Sequence, residues 1–222
     1  MEIVTFACRV CGAPTAVLAG LASELPAVQC HKCTAREEKA ARHKAHLDRC
    51  TEAFGKCCPP CFPDTEVGKL PCPTLSEYAL RWRWGPKGMH LYGVPGSGKT
   101  RTLSVLVRRA IFTGHSVCCL GPGTFRQQCE AREWRRGAWL KRLGNVDLLF
   151  IDDIDKLSLT KDMEKDLFGV ITARAGFKPT YSTSNSDREK IAALFRVTSA
   201  AMARRIFDYN FRLRFDPDDF GC

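Results

Sequence analysis

The sequence predicts an α/β fold, a parallel sheet with helices on both faces, preceded by a small module stapled by metal. Three observations carry this prediction. From about residue 75, apolar runs of strand length alternate with stretches whose apolar residues recur at helical spacing, which is the pattern of parallel strands joined by helical crossovers. One of the strand-to-helix turns is glycine-rich and ends in Lys-Thr. The first 33 residues instead carry two Cys-x-x-Cys pairs in a segment too short to build much of a core.

The expected organisation is 1–33, 34–74 and 75–222. In the first segment, Cys8-x-x-Cys11 and Cys30-x-x-Cys33 stand about 18 residues apart, the spacing of a four-cysteine zinc ribbon. Gly12 eases the tight turn after the first pair, and Zn²⁺ would supply much of the folding energy. The alternative is four reduced structural thiols. A disulfide framework explains the cysteines poorly: there are thirteen, and no export signal precedes them.

Next, Thr34-Ala35-Arg36-Glu37 reads as a capping box opening a charged connector helix from about 35 to 54. Residues 55–73 hold five prolines and two glycines, which forbids regular structure and marks a boundary. Cys50, Cys57, Cys58, Cys61 and Cys72, with His43 and His46, form a second cluster of less regular spacing, a weak candidate for another zinc. Cys118, Cys119, Cys129 and Cys222 read as core, helix or terminal residues.

The core is expected to run in order through a short helix Leu75–Trp84 and a strand Met89–Val94. A helix from Lys99 to about 113 follows, then a strand Val117–Leu120, a long helical stretch at about 124–143 and a strand Val146–Asp152. A helix at about 160–175, a strand Thr180–Ser184, two helices and a last strand Phe211–Phe215 complete it.

Gly93-Val94-Pro95-Gly96-Ser97-Gly98-Lys99-Thr100 matches the phosphate-binding loop pattern in full, with an apolar strand before it and a helix after it. Its glycines allow backbone N–H groups to close on the phosphates of ATP at the positive end of the helix. Lys99 adds a point charge and the Thr100 hydroxyl can ligate Mg²⁺. The cofactor-binding set is Gly93, Pro95, Gly96, Ser97, Gly98, Lys99, Thr100 and the following Arg101. Asp152 ends an apolar strand, at the sheet edge where ligands bind in open α/β folds, and is assigned to magnesium. Asp153 is placed to polarise the attacking water. Asn185, closing Tyr181–Asn185, is placed to orient that water or sense the γ-phosphate.

These three elements, in this order and spacing, resemble the AAA+ ATPases. Within them the chain is most similar to the DnaC-type helicase loaders and IstB-type transposition ATPases, over about residues 59–216, including Pro59-Pro60 and the lead-in Gly85–Gly88. The resemblance implies side-by-side homo-oligomers in which an arginine of one subunit reaches its neighbour's γ-phosphate. Arg204 is the first candidate for that role, followed by Arg205 and Arg196. The resemblance also implies a core without the helical lid domain, consistent with the few residues between the last strand and Cys222. The acidic pair departs from the family's Asp-Glu by being Asp152-Asp153, which bears on the hydrolysis rate.

The formal charge of +10 points to a polyanionic partner. Between the nucleotide motifs, Phe125, Arg126, Arg132, Trp134, Arg135, Arg136, Trp139, Lys141 and Arg142 interleave aromatics with cations, which suits single-stranded DNA. The alternative is an amphipathic helix with its tryptophans inward. The expected function is therefore that of a cytoplasmic ATPase, with no membrane association, that loads a replicative helicase onto single-stranded DNA. The rivals are an accessory ATPase of a transposase, an ATP-gated adaptor that does not hydrolyse, and a small-molecule kinase. The last would need an acceptor-binding lid.

Overall fold

The computed structural model describes residues 3–18, 29–57, 62, 64–70 and 73–215. The chain forms two compact units, Met1–Thr51 and Glu52–Cys222. No helix among the described residues is long and apolar enough to cross a membrane.

The first unit contains a two-stranded antiparallel ribbon, β1 (Ile3–Ala7) with β2 (Pro14–Leu18), in which Ile3 pairs with Leu18 and Ala7 with Pro14. The turn between them closes with Gly12 at φ 74°, donating its N–H to Cys8 O. Gly is the default residue at that backbone angle. Helix α1 runs from His31 to Cys57 and starts earlier than the capping box predicts. Thr34 therefore lies inside the first turn, with its N–H and hydroxyl both directed to Cys30 O. The capping role fails because the helix has already begun three residues earlier, so the Thr34 hydroxyl donates back to Cys30 O instead of accepting at the helix start.

The second unit is built on a five-stranded parallel sheet in the order β4-β5-β6-β3-β7. These strands are β3 (Gly88–Gly93), β4 (Val117–Leu120), β5 (Leu148–Ile151), β6 (Thr180–Ser184) and β7 (Asn210–Phe215). The helices are α2 (Pro73–Arg81), α3 (Lys99–Phe112), α4 (Thr124–Ala131), α5 (Arg136–Asn145), α6 (Lys161–Arg174), α7 (Arg188–Leu194) and α8 (Ser199–Phe207). The insertion of β6 between β3 and β5 puts the ends of three strands side by side at one edge, and this arrangement positions the site.

Two local features bear on packing. Gly88 and Gly93 bracket β3 because a Cβ at the first would strike Thr180 O and Asn210 Oδ1, and at the second Phe215 O. The expected long helix at 124–143 is broken into α4, a 3₁₀ turn at Glu133–Arg135 and α5. A straight helix of that length would extend about 30 Å. The break lets Phe125 and Cys129 on one side and Leu143 and Trp139 on the other reach the same apolar cluster as Leu149, Ile151 and Leu167.

Candidate functional site

The loop between β3 and α3 wraps a cavity of about 410 Å³ lined by Pro95, Gly96, Gly98, Lys99, Thr100, Arg101, Asp153 and Asn185, together with Phe62, Lys69 and Lys156. The glycines make the wrap possible: Gly96 sits at φ 79° and Gly98 at φ 90°, where residues with a Cβ are strained. Gly98 precedes the first residue of α3, so the positive end of a 14-residue helix opens toward the cavity. Lys99 is 5% exposed. Its ammonium donates to Gly93 O (3.0 Å) and Val94 O (2.6 Å) and lies 3.4 Å from Ser97 Oγ. Burial pushes its pKa below the usual lysine value, opposed by Asp153 and Asp155.

Asp152 follows the last residue of β5. Its Oδ1 accepts from Thr100 Oγ1 at 2.8 Å and from Thr183 Oγ1 at 2.6 Å. Burial nevertheless raises its pKa above the usual carboxylate range, with the two hydroxyls opposing. This cluster consists only of oxygen donors, a hydroxyl facing a carboxylate at the mouth of a phosphate loop, and such a set fits hard Mg²⁺. Asp153 adopts a left-handed backbone (φ 48°, ψ 57°), a region that Asp tolerates better than most residues. Its N–H donates to Thr183 Oγ1 at 2.7 Å, and its carboxylate meets Lys156 Nζ at 2.7 Å inside the cavity lining. Lys156 is in turn held above its usual pKa by Asp153.

Asn185 lies at the end of β6 and is fixed by its backbone, whose N–H donates to Asp155 Oδ2 at 3.0 Å. Ser186 Oγ donates to the same oxygen. Asp155 was not anticipated from the sequence, although the repeat Asp152-Asp153-x-Asp155 was available as a signal. Phe62, Lys69 and Lys156 were also missed. No local pattern marks Phe62, which sits 5.0 Å from the Arg101 guanidinium.

Arg204 and Arg196 are exposed and Arg205 is half-buried, its guanidinium 4.7 Å over the Tyr209 ring. None of the three lines the cavity of its own chain. Glu164 on α6 is nearly buried and accepts from the N–H groups of Arg196, Val197 and Thr198 and from Thr198 Oγ1, at 2.6–3.0 Å. It thereby anchors the approach to α8, the helix that carries Arg204. Nothing in the local sequence distinguishes this glutamate from its solvated neighbours.

The aromatic and basic segment between the motifs is divided. Phe125 is fully buried and Trp139 packs 5.4 Å from it, so these two serve the core and not a stacking surface. Trp134 is 81% exposed, with Arg135 4.3 Å over its ring. Arg126 pairs with Glu130, and Arg136 with Asp166.

In the first unit the thiols of Cys8, Cys11, Cys30 and Cys33 all lie within 4.8 Å of one another, the one such group found among the described residues. Cys11 Sγ and Cys30 Sγ are 3.7 Å apart. Four sulfurs about 2.3 Å from a tetrahedral Zn²⁺ would be about 3.8 Å apart, so the donor set and spacing fit that ion. N–H groups of Cys30, Cys11 and Val10 pull the Cys8 thiol down to about 6, whereas hydrogen bonding with Cys11 and Cys30 pushes Cys33 up to about 12. For the second cluster, His46 Nε2 is 3.5 Å from Cys50 Sγ. Cys58, Cys61, Cys72, the Cys57 side chain and also Cys222 lie outside the described residues.

The fold is shared with several solved structures. A DNA replication initiation factor superposes with a TM-score of 0.58 at 17% identity, over 71% of this chain and 51% of that one. AMPPCP-bound DnaA from Aquifex aeolicus gives 0.54 at 18%, over 66% and 46%. DnaI gives 0.56 at 19%, over 74% and 93%. The chain thus spans about half the length of the first two. No curated protein matches the sequence. The phosphate loop, the acidic strand end and the inserted β6 make this a P-loop core of AAA+ type, and residues 34–213 match the sequence model of one family. The chain belongs to the IstB-like ATP binding proteins.

Proposed function

We propose that the chain is an ATP-hydrolysing, DNA-associated ATPase that acts as a homo-oligomer in the cytoplasm and loads a replicative helicase onto single-stranded DNA. The observation that carries the ATPase reading is the juxtaposition of Thr100, Asp152 and Thr183 within hydrogen-bonding distance at the mouth of the phosphate loop. In this reading Lys99 leaves its loop carbonyls for the β- and γ-phosphates, and Thr100 and Asp152 hold Mg²⁺. The metal, when bound, neutralises phosphate charge as the transferring group departs. Asp153 polarises the attacking water and accepts its proton, Asn185 orients that water or senses the γ-phosphate, and Arg204 of the adjoining subunit meets the charge developing on the γ-phosphoryl group. Cys8, Cys11, Cys30 and Cys33 hold structural Zn²⁺ in an N-terminal ribbon.

The helicase-loading part follows from the resemblance of the nucleotide motifs to those of the DnaC-type helicase loaders. A second reading, an accessory ATPase of a transposase, is favoured by the family match. Steady-state ATP hydrolysis by wild type and Arg204→Ala, with and without single-stranded DNA, tests the proposal. We expect DNA-stimulated turnover that rises faster than linearly with protein concentration and is lost in the variant. ATP binding without turnover under every condition would overturn it in favour of an ATP-gated adaptor.

A further inference from the structure

Helix α1 sorts its charges by face. At about 100° per residue, Lys32, Arg36, Lys39, Arg42 and Arg49 fall within about 140° of arc, with His43 and His46 among them. Glu37, Glu38, Asp48 and Glu52 occupy an arc on the other side, and Lys44 and Lys56 lie outside the basic stripe. The five Lys and Arg of the stripe are exposed, and every residue from Ala35 to Ala45 is exposed as well. Among the described residues only Arg42 of the five has a carboxylate partner, Glu38 at 3.6 Å, on a pair that is itself solvent-screened. The stripe spans roughly 25 Å. Cys30 and Cys33, members of the thiol cluster, flank the start of this helix.

A merely solvated helix has no need to segregate its charges. It gains more from interleaving them as i,i+4 pairs; among the described residues α1 forms such ion pairs at Glu38–Arg42 and Glu52–Lys56, and Lys44 and Asp48, off the basic stripe, share that spacing. The face also lacks what other partners require. Residues 31–49 contain no Phe, Tyr or Trp on which unpaired bases could stack, so single strands gain little there. Farther along the same azimuth Cys50 and Phe54 are buried, and the exposed Ala40 and Leu47 at the edge of the stripe do not amount to the apolar anchors of a protein interface. A helical row of cations without stacking groups matches a regularly spaced polyanion.

We propose that the basic face of α1 docks on the phosphate backbone of double-stranded DNA, holding duplex while the ATPase unit acts. This rests on the reading of the protein as DNA-associated and adds the surface and the form of DNA. The test is fluorescence anisotropy of the full chain on a random duplex of about 30 base pairs and on single-stranded oligo-dT of equal length, across a salt series. Wild type is compared with the variant Lys32→Gln, Arg36→Gln, Lys39→Gln, Arg49→Gln. Gln is a good helix former, and far-UV circular dichroism verifies that the helix survives.

We expect the variant to bind duplex at least about 100-fold more weakly at low salt, with a log–log salt slope shallower by about 3 to 4. Its single-strand affinity and ATP affinity should be unchanged. The counterpart on the acidic arc, Glu37→Gln with Asp48→Gln, should bind duplex at least as well as wild type. Unchanged duplex affinity and slope in a helical variant would overturn the proposal, as would equal loss against oligo-dT or against poly-glutamate, which would indicate docking of any polyanion. Failure of wild type to bind duplex at all also overturns it. ATP turnover measured in the same samples shows whether the ATPase reading survives.

Discussion

Arg174 and Lys99 are both buried cations hydrogen-bonded to backbone carbonyls, yet their surroundings give them opposite roles. Arg174 is 0% exposed. Its guanidinium donates to Leu143 O, Gly144 O and Val146 O through one nitrogen, to Asp147 O and Pro179 O through another, and to Thr180 Oγ1 through Nε, at 2.7–3.3 Å. Those acceptors belong to the end of α5 and to the approaches to β5 and β6. A helix C-terminus presents carbonyls without intrahelical partners, and a cation there is favourably placed. Burial lowers Arg174 to about 10, so it stays protonated at neutral pH. Lys99, by contrast, has three acceptors, all within its own loop, and it faces a cavity. One cation joins distant segments and has no capacity left over. The other is held by local contacts within its own loop that a phosphate can replace.

The strongest way to break this comparison is Arg174→Met. It leaves several carbonyls without donors, and we expect a loss of about 3 kcal/mol or more. For a domain of this size that lowers the thermal midpoint by about 6–12 °C. Arg174→Lys should recover little of it, because a point charge cannot reach both loops. A variant that melts like wild type would show that the carbonyl cluster is not structural.

Lys99→Met should behave in the opposite manner. Affinity for ADP and for a non-hydrolysable ATP analogue falls about 100-fold, or ~2.7 kcal/mol, while the melting temperature without nucleotide holds or rises. Isothermal titration and a thermal scan on the same sample separate the two quantities. A Lys99→Met protein that lost stability as Arg174→Met does would erase the distinction.

A third buried group sharpens the contrast by being neutral. His90 on β3 lies 2.8 Å from Ser182 Oγ through Nδ1 and 3.3 Å from Ser184 Oγ through Nε2, and burial brings its pKa down from 6.5 to about 3. The unfolded chain therefore binds the proton more tightly than the folded one. His90 contributes stability above pH ~6.5 that is lost as pH falls toward about 3. Denaturant melts across that range should show a shallower acid limb for His90→Gln than for wild type, with little difference at pH 7. Parallel acid limbs would contradict the burial of a neutral imidazole.

The contrast between β5 and β6 shows how much of this was legible beforehand. Leu148–Ile151 is four apolar residues in a row, and a strand buried on both faces follows from that alone. Thr180–Ser184 is equally buried although mostly polar. Its burial depends on partners that only the fold supplies: His90 for Ser182 and Ser184, Asp152 for Thr183, and the Trp82 indole, which donates to Tyr181 Oη at 2.8 Å. The expected long helix at 124–143 failed for a related reason. Periodicity identified the apolar face, but the sheet edge decided where that face had to turn.

By itself the sequence determined the phosphate loop with its flanking strand and helix, the acidic strand end, the two cysteine pairs and the alternation of strands and helices. These are local patterns, in which a few adjacent residues settle backbone angle, charge or ligand spacing. Only the tertiary structure decided that Thr183 would bridge Asp152 and Asp153, that Asp155 would hold Asn185, that Glu164 would fix the approach to α8, and that Arg174 would gather carbonyls from three segments. The Thr183, Asp155 and Arg174 contacts depend on β6 lying beside β5, and the Glu164 contact on α6 lying beside the segment that leads into α8. Such placement comes from packing the whole sheet, and no window of sequence contains it.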